Sequence, residues 1–238
     1  MPAPNWLNAC ILHRRPYRET SYLVDFFTLE YGKMSAVAKG VRNSRNERKS
    51  LLQPFQPLRI QLTGKSELKN LTQLEGASKA FSLGGFNLFC AMYLNEVTNR
   101  VLQPELPVGD LFEAYQNALQ ALSGLSNTPT EEAQIILREF EFALLTEMGL
   151  LVDLSVTTDS GLPVHSADFY MFDAEMGLTL APLGYPHRLP GYHLLAIMQR
   201  KWSADSLRIA KYINRIALRP LLGDKPLKSR ELFVVNTS

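Results

Sequence analysis

Sulfur and histidine are scarce in this 238-residue chain, and long apolar runs are absent. The two cysteines, Cys10 and Cys90, each sit in an apolar segment and form no Cys-x-x-Cys pair. They cannot frame a zinc site, and a free thiol in such company behaves as a small buried hydrophobe. The four histidines, His13, His165, His187 and His193, show no metal-ligand spacing, and neither His-Glu-x-x-His nor Gly-x-Ser-x-Gly occurs. "GKS" at 64–66 ends like a phosphate-binding loop, but Arg59 stands where that motif needs a glycine. Carboxylates are plentiful in the middle of the chain, Glu139 and Glu141 among them, and read as solvated groups on helix surfaces. The expectation is therefore no metal, no cofactor and no catalysis. No segment approaches the roughly 18 apolar residues that span a bilayer. The basic residues near the N-terminus follow a short apolar run, the reverse of a secretory signal. A cytoplasmic protein is expected.

What the chain does have is charge, unevenly distributed. Lys and Arg number 25 and Asp and Glu 23, a net charge of only +2. Residues 1–82 nevertheless hold thirteen basic residues against six acidic, residues 83–200 four against fourteen, and residues 201–238 eight against three. Two basic ends flank an acidic middle, and basic regions of this kind attract polyanions. The densest stretch is "AKGVRNSRNERKS" at 38–50, where Lys39, Arg42, Arg45, Arg48 and Lys49 meet a single acid, Glu47. Upstream, "HRRPYRETSY" sets Arg14, Arg15 and Arg18 among Tyr17 and Tyr22. Single-strand binders use this mixture, with phosphates tracked by cations and bases stacked on flat side chains. Tyr22 lies within a strand pattern, so Tyr17, beside Pro16, is the expected stacker.

Up to about residue 80 the pattern is of short strands: "WLNACILHR", "TSYLVDFFT", "GKMSAVAKG", "LRIQLTG" and the segment from Leu68 to Leu74. In "LRIQLT" apolar Leu58, Ile60 and Leu62 alternate with Arg59, Gln61 and Thr63, the period of a half-buried strand. A closed or nearly closed barrel is the economical arrangement, because it removes most sheet edges. Residues 38–50 then form a loop between its third and fourth strands. From residue 86 the period becomes helical, with Phe86, Phe89, Cys90, Tyr93, Leu94, Val97 and Val101 on one face. Further helices are expected over 111–122, from a Thr128–Glu131 capping box to Gly149, and near 191–201 and 204–222. Residues 151–190 give no clear pattern. On the last helix Arg208, Lys211, Arg215 and Arg219 share a face opposite Leu207, Ala210, Ile213, Ile216 and Ala217. No acid follows Asp205 to neutralise that face, and it suits nucleic acid or an acidic peptide. The fold class is α+β: a small barrel over 1–80, then a helical domain over 81–238. That second part contains the irregular segment near 151–190 and a basic C-terminal helix and tail.

One resemblance spans most of the chain. It is carried by the order and spacing of "RPYRETSYLVDFFTLEYGKMSAVAKGVR", "LQPFQPL", "MYLNEVTNRVL", "LREFEFALLTEMG" and "LRIAKYINRIALRPLLGDKPLKSRELF". In these the chain resembles the RecO family of bacterial DNA repair proteins. The resemblance implies that the barrel is an oligonucleotide-binding (OB) fold. It also implies binding of single- and double-stranded DNA, annealing of complementary strands, and a non-enzymatic, nucleoid-associated role. That role is to help load the recombinase RecA onto strands coated by single-stranded DNA-binding protein (SSB). RecR and the acidic tail of SSB are the implied partners. DNA contact is carried onto Lys39 and Arg42, whereas Arg45, Arg48 and Lys49 rest on charge alone. The SSB tail, whose acids and terminal aromatic need cations beside an apolar pocket, is assigned to Arg138, Arg208, Lys211 and Arg215. Some family members carry four cysteines as a zinc module, but "VDLSVTTDSGLPVHSADFYMF" has none. No zinc is expected, and packing alone must hold that segment. Two rival readings use the same basic faces: a protein-only adaptor that binds acidic peptides without touching DNA, and a metal-dependent nucleic-acid enzyme. With roughly five phosphate contacts on a single strand, the log–log salt slope of DNA binding should be about −3.5.

Overall fold

The computed structural model describes residues 5–42 and 47–234. Strands β1 (Leu7–Tyr17), β2 (Ser21–Thr28) and β3 (Gly32–Ala38) form an antiparallel meander. A crossover with the short helix α1 (Glu47–Leu51) leads to the hairpin of β4 (Leu58–Thr63) and β5 (Leu68–Gly76). β5 lies parallel beside β3, and β4 pairs back onto β1 through Leu7 and Ile60. The result is a closed five-stranded barrel in the order β1-β2-β3-β5-β4, the OB-fold arrangement. The alternating pattern describes its interior well. Leu58 and Ile60 are buried and Arg59 is exposed, and Ile11, Val24, Phe26, Ala36 and Leu52 belong to the same core. Leu62 is only half-buried, because the register shifts between Gln61 and Leu62. The stretch at 38–50 is not all loop: Arg48 and Lys49 lie on α1, and Leu52 just after it inserts into the barrel core.

Two helices pack with the barrel. They are α2 (Gly85–Val101) and α3 (Gly109–Ser123). β1 has a register shift between Ile11 and His13, and there the buried Asn95 of α2 donates from Nδ2 to the carbonyls of Ile11 (3.0 Å) and Leu12 (3.2 Å). Asn95 Oδ1 accepts from the hydroxyl of the buried Tyr115 on α3 at 2.5 Å. Phe27 points away from the barrel core, alternate to Phe26, and meets Phe112 and Tyr115 edge-on at 5.1 and 5.6 Å. Cys10 and Cys90 are buried and free, and burial pushes the Cys10 thiol up to about 12, outweighing a contact from Gln116.

The chain divides into two compact units, one of residues 1–129 and 226–238, the other of residues 130–225. The second unit holds α4 (Glu131–Glu147), the strands β6 (Phe169–Asp173), β7 (Gly177–Leu180) and β8 (Leu189–Pro190), and the helices α5 (Gly191–Met198) and α6 (Ala204–Leu222). The cap of α4 is Thr130, not Thr128: its Oγ1 accepts from the Ala133 amide at 3.1 Å. Starting two residues later puts both Glu131 and Glu132 in the first turn, where the helix dipole favours acids. Gly149, with φ of 67°, ends the helix as expected. The unreadable segment is a three-stranded sheet in the order β7-β6-β8. It buries Leu154, Val164, Tyr170, Phe172, Leu178 and Leu189, and the Tyr170 hydroxyl accepts from the His165 amide at 2.8 Å. Among the described residues no three His, Cys, Asp or Glu side chains gather to hold a metal ion, and no helix is long and apolar enough to cross a membrane.

The basic tail returns to the first unit and contains a helix that the sequence reading missed, α7 (Ser229–Val234). Glu96 of α2 clasps it. Its Oε1 accepts from the Lys228 amide (2.9 Å), and its Oε2 accepts from the Ser229 amide (2.8 Å) and hydroxyl (2.7 Å). Phe233 lies edge-on to Phe86 and Phe89 at 5.4 and 6.2 Å. Burial raises the Glu96 pKa, but the hydrogen bonds from Ser229 and Lys228 and the charge of Arg100 outweigh it, and the net value is below the usual 4.5. A carboxylate whose pKa is lowered on folding stabilises the protein above its ordinary value and ceases to do so as pH falls through the lowered one. Glu96→Gln should cost about 1–2 kcal/mol in urea unfolding at pH 7 and speed tryptic cleavage at Lys228 and Arg230. The difference between variant and parent should shrink below pH 4.5. An unchanged urea midpoint would show that the clasp contributes nothing.

Candidate nucleic-acid interface

The β1–β2 hairpin closes through Arg18, Glu19 and Thr20, between the paired Tyr17 and Ser21. Arg18 takes φ of 51°, the left-handed conformation that lets so short a loop reverse the chain. Beside it β3 ends at Ala38, and Gly40, with φ of 69°, turns the chain just after the exposed Lys39. Arg42 binds the two segments together. Its amide donates to the Thr20 carbonyl at 2.9 Å and its Nη1 to the Arg18 carbonyl at 3.3 Å. With the start of β5 these segments enclose an open groove of about 690 Å³ at one end of the barrel. Three cations line it, Arg18, Lys39 and Lys69, together with the Tyr17 ring, the polar groups of Thr20, Ser21 and Asn70, and one acid, Glu19. The Arg18 guanidinium lies over the Tyr17 ring, 5.3 Å from its centroid. Cations, a flat ring and small hydrogen-bonding groups thus share one concave surface, which is what a phosphate-tracking, base-stacking site requires.

The sequence-predicted cations do not all meet here. Tyr17, Arg18 and Lys39 line the groove, and Arg42 braces the hairpin loop through the Arg18 and Thr20 carbonyls. Arg15 is exposed on β1, paired with Leu23. Arg14 is turned to structural use: Nη1 donates to the Leu52 carbonyl at 2.5 Å, Nη2 to Gln53 Oε1 at 3.0 Å, and the guanidinium covers the Tyr22 ring at 5.2 Å. Arg48 Nη2 donates to the Thr72 carbonyl of β5 at 3.2 Å, and both Arg48 and Lys49 are half-buried on α1. Arg45 lies outside the described residues. The groove also includes Lys69 and Asn70, which sequence reasoning missed because they look like ordinary alternating strand residues. Their one signal was position, at the start of the fifth strand, shortly after Gly64, whose φ of 121° opens the β4–β5 turn.

In the second unit Arg208, Lys211 and Arg215 are exposed on α6, whose other side buries Leu207, Ala210, Ile213 and Ala217, with Ile216 half-buried. Arg138 is not with them. It is 4% exposed, and its Nη2 pairs with Glu141 Oε1 at 2.7 Å, while Glu141 Oε2 accepts from Asn214 Nδ2 at 2.9 Å. Glu141 is accordingly a buried partner joining α4 to α6, not a solvated helix-surface acid. The basic face is also partly neutralised, because Asp205 itself pairs with Arg208 at 2.7 Å, one turn away. A cleft of about 460 Å³ beside this face is lined by His187, Arg188, Tyr192, Arg208, Ile209 and Tyr212 among others. Arg188 and the aromatic residues escaped notice because most of them come from the unreadable segment and the helix after it.

The model of the recombination protein O N-terminal family matches residues 5–79, and that of the recombination protein O C-terminal family matches residues 84–231. Among full-length relatives, a protein of Alteromonas mediterranea is 49% identical over 231 residues, covering 96% of this chain and 97% of its own. One of Pseudoalteromonas atlantica is 47% identical over 232 residues (97% and 95%), and one of Klebsiella pneumoniae is 42% identical over 229 (96% and 92%). Each is named DNA repair protein RecO.

The division of the cations into groove and scaffold is open to test by stability alone. Arg14→Ala should lower the urea midpoint by an amount equivalent to about 1–2 kcal/mol, while Lys39→Ala leaves it unchanged. Equal midpoints for the two variants would contradict the division.

Proposed function

The chain belongs to the RecO family of DNA repair proteins, and from that premise we propose that its barrel-end groove binds DNA and that binding, not catalysis, is its contribution to repair and recombination. The observation that carries the reading is the convergence of Arg18, Lys39, Lys69 and the Tyr17 ring on one groove of a closed barrel. A single strand laid there has its phosphates near three ammonium or guanidinium groups and one base within reach of a ring. Counterion release then supplies affinity without sequence preference, and duplex DNA is held through its phosphates alone. Two strands brought to such a surface repel each other less, and base pairing itself supplies the test of complementarity, so annealing follows from charge neutralisation. The nucleoid is where such a ligand is met.

The α6 face has a different use. The acidic tail of SSB needs cations beside an apolar recess for its terminal aromatic, and Arg188 and Arg208 flank a cleft with Ile209 and Tyr212 in its lining. Lys211 and Arg215 extend the positive potential along the helix. Arg138, being buried and ion-paired, is withdrawn from that role. Engagement of the tail at one site and DNA at another would let the protein act on coated strands, recruit RecR and assist RecA loading. The placement of α1 also lowers the expected number of phosphate contacts. With the three groove cations counted, the log–log salt slope on single strands should be about −2 instead of about −3.5.

Fluorescence anisotropy of a labelled single-stranded oligonucleotide from about 50 to 300 mM salt, without divalent metal, decides this. Arg18→Ala/Lys39→Ala should weaken binding roughly tenfold at low salt and flatten the slope by about 1.4. The same variant should bind an acidic peptide ending in Phe as the parent does, whereas Arg208→Ala should lose peptide affinity and keep DNA affinity. Peptide binding with no DNA binding at the lowest salt would favour the protein-only adaptor and sink the DNA reading.

A further inference from the structure

One of the three groove cations already has an anion. Lys69 Nζ lies 2.6 Å from Glu105 Oε1, with the lysine side chain only 12% exposed and the glutamate 42%. Glu105 does not belong to the barrel; it comes from the connection between α2 and α3. That connection is fastened to the base of β3. The Glu105 amide donates to the Lys33 carbonyl at 2.9 Å, Pro104 pairs with Lys33, and Lys33 Nζ donates to the Asn99 carbonyl. Gly32 lies so close beneath the connection that a Cβ there would come within 1.9 Å of the Leu106 carbonyl oxygen. Glu105 itself holds φ of 57°, a left-handed conformation that disfavours a residue with a side chain. A backbone fixed in this way holds the carboxylate within reach of the groove lysine, while the glutamate side chain itself is exposed enough to swing into solvent.

We propose that Glu105 is a resident stand-in for a phosphate, occupying the Lys69 ammonium until a nucleic-acid strand displaces it. The inference rests on the reading of the groove as the DNA site and adds a regulatory residue to it. A half-buried ammonium without a counter-anion is unfavourable, so Glu105 keeps the empty groove stable. It also means that Lys69 contributes to binding only to the extent that phosphate outcompetes the carboxylate. The groove therefore discriminates by charge density. A strand offering several phosphates together, anchored at Arg18 and Lys39, can displace Glu105, and an isolated anion cannot.

Glu105→Gln, Lys69→Met and the double variant, each checked for its urea midpoint, test this by anisotropy with the same labelled single strand at about 100 mM salt. Methionine keeps the aliphatic stem of Lys69 packed. Glu105→Gln should tighten binding roughly three- to fivefold, and adding it to Lys69→Met should produce no tightening. If the gain persists undiminished without Lys69, removal of a negative charge acts through the general field and the proposal fails. No gain in either background also overturns it. These failures leave the groove reading intact as long as Arg18→Ala/Lys39→Ala weakens binding; loss of that effect would overturn the groove reading itself.

Discussion

Asn95 sets the geometry on which the first unit depends. A buried amide is costly unless its hydrogen bonds are made, and this one donates to two carbonyls of β1 and accepts from Tyr115. Its position is the register shift of β1, where an extra residue twists the strand and changes which way the following side chains face. Beyond the shift the strand runs from His13 to Tyr17 and delivers the hairpin that forms one wall of the groove. The same contacts bind α2 and α3 to the barrel, and Phe27 against Phe112 and Tyr115 extends that union. Barrel, α2, α3 and the returning α7 are for this reason one compact unit, although strand gives way to helix near residue 80.

A protein that gathers cations must spread the cost of their mutual repulsion. Here the solution is division of labour. Arg14 and Arg48 spend their donors on backbone carbonyls and so hold the crossover between β3 and β4 in place. Arg18 and Lys39 remain in the groove, one stacked on Tyr17 and the other at a glycine turn, and Lys69 is partnered by Glu105. The near-zero net charge hides this arrangement because the acids lie mostly in the middle of the sequence. On α6 the same economy is visible in the Asp205–Arg208 pair.

Much of the barrel was legible because its strands are short runs of apolar and β-branched residues, with β4 alternating at its start, and because Gly32 and Gly64 mark turns between them. The longer helices were legible from their period, whereas α1 and α7, of five and six residues, are too short to show one; α4 begins at the second of two threonines, a choice that local pattern alone does not make. The segment at 151–190 was opaque for a physical reason. Its strands are five, four and two residues long, and they are fixed by distant contacts such as the close approach of Gly191 to the His165 carbonyl. In the site, Tyr17, Arg18 and Lys39 could be read from composition. The fold divides the dense charge at 38–50, with Lys39 lining the groove and Arg48 and Lys49 on α1. Arg138 shows the converse: its spacing to Glu141 on one helix face already allowed an internal pair, and burial made that pair its role.

The central claim is that nucleic acid lies in the barrel-end groove. Amide hydrogen exchange of the full chain, with and without a saturating single-stranded oligonucleotide, tests it most directly. The account predicts slowed exchange in the segments around Tyr17–Ser21, Val37–Arg42 and Leu68–Asn70, with α6 unchanged. Slowing confined to α6, with the groove segments unaffected, would contradict it.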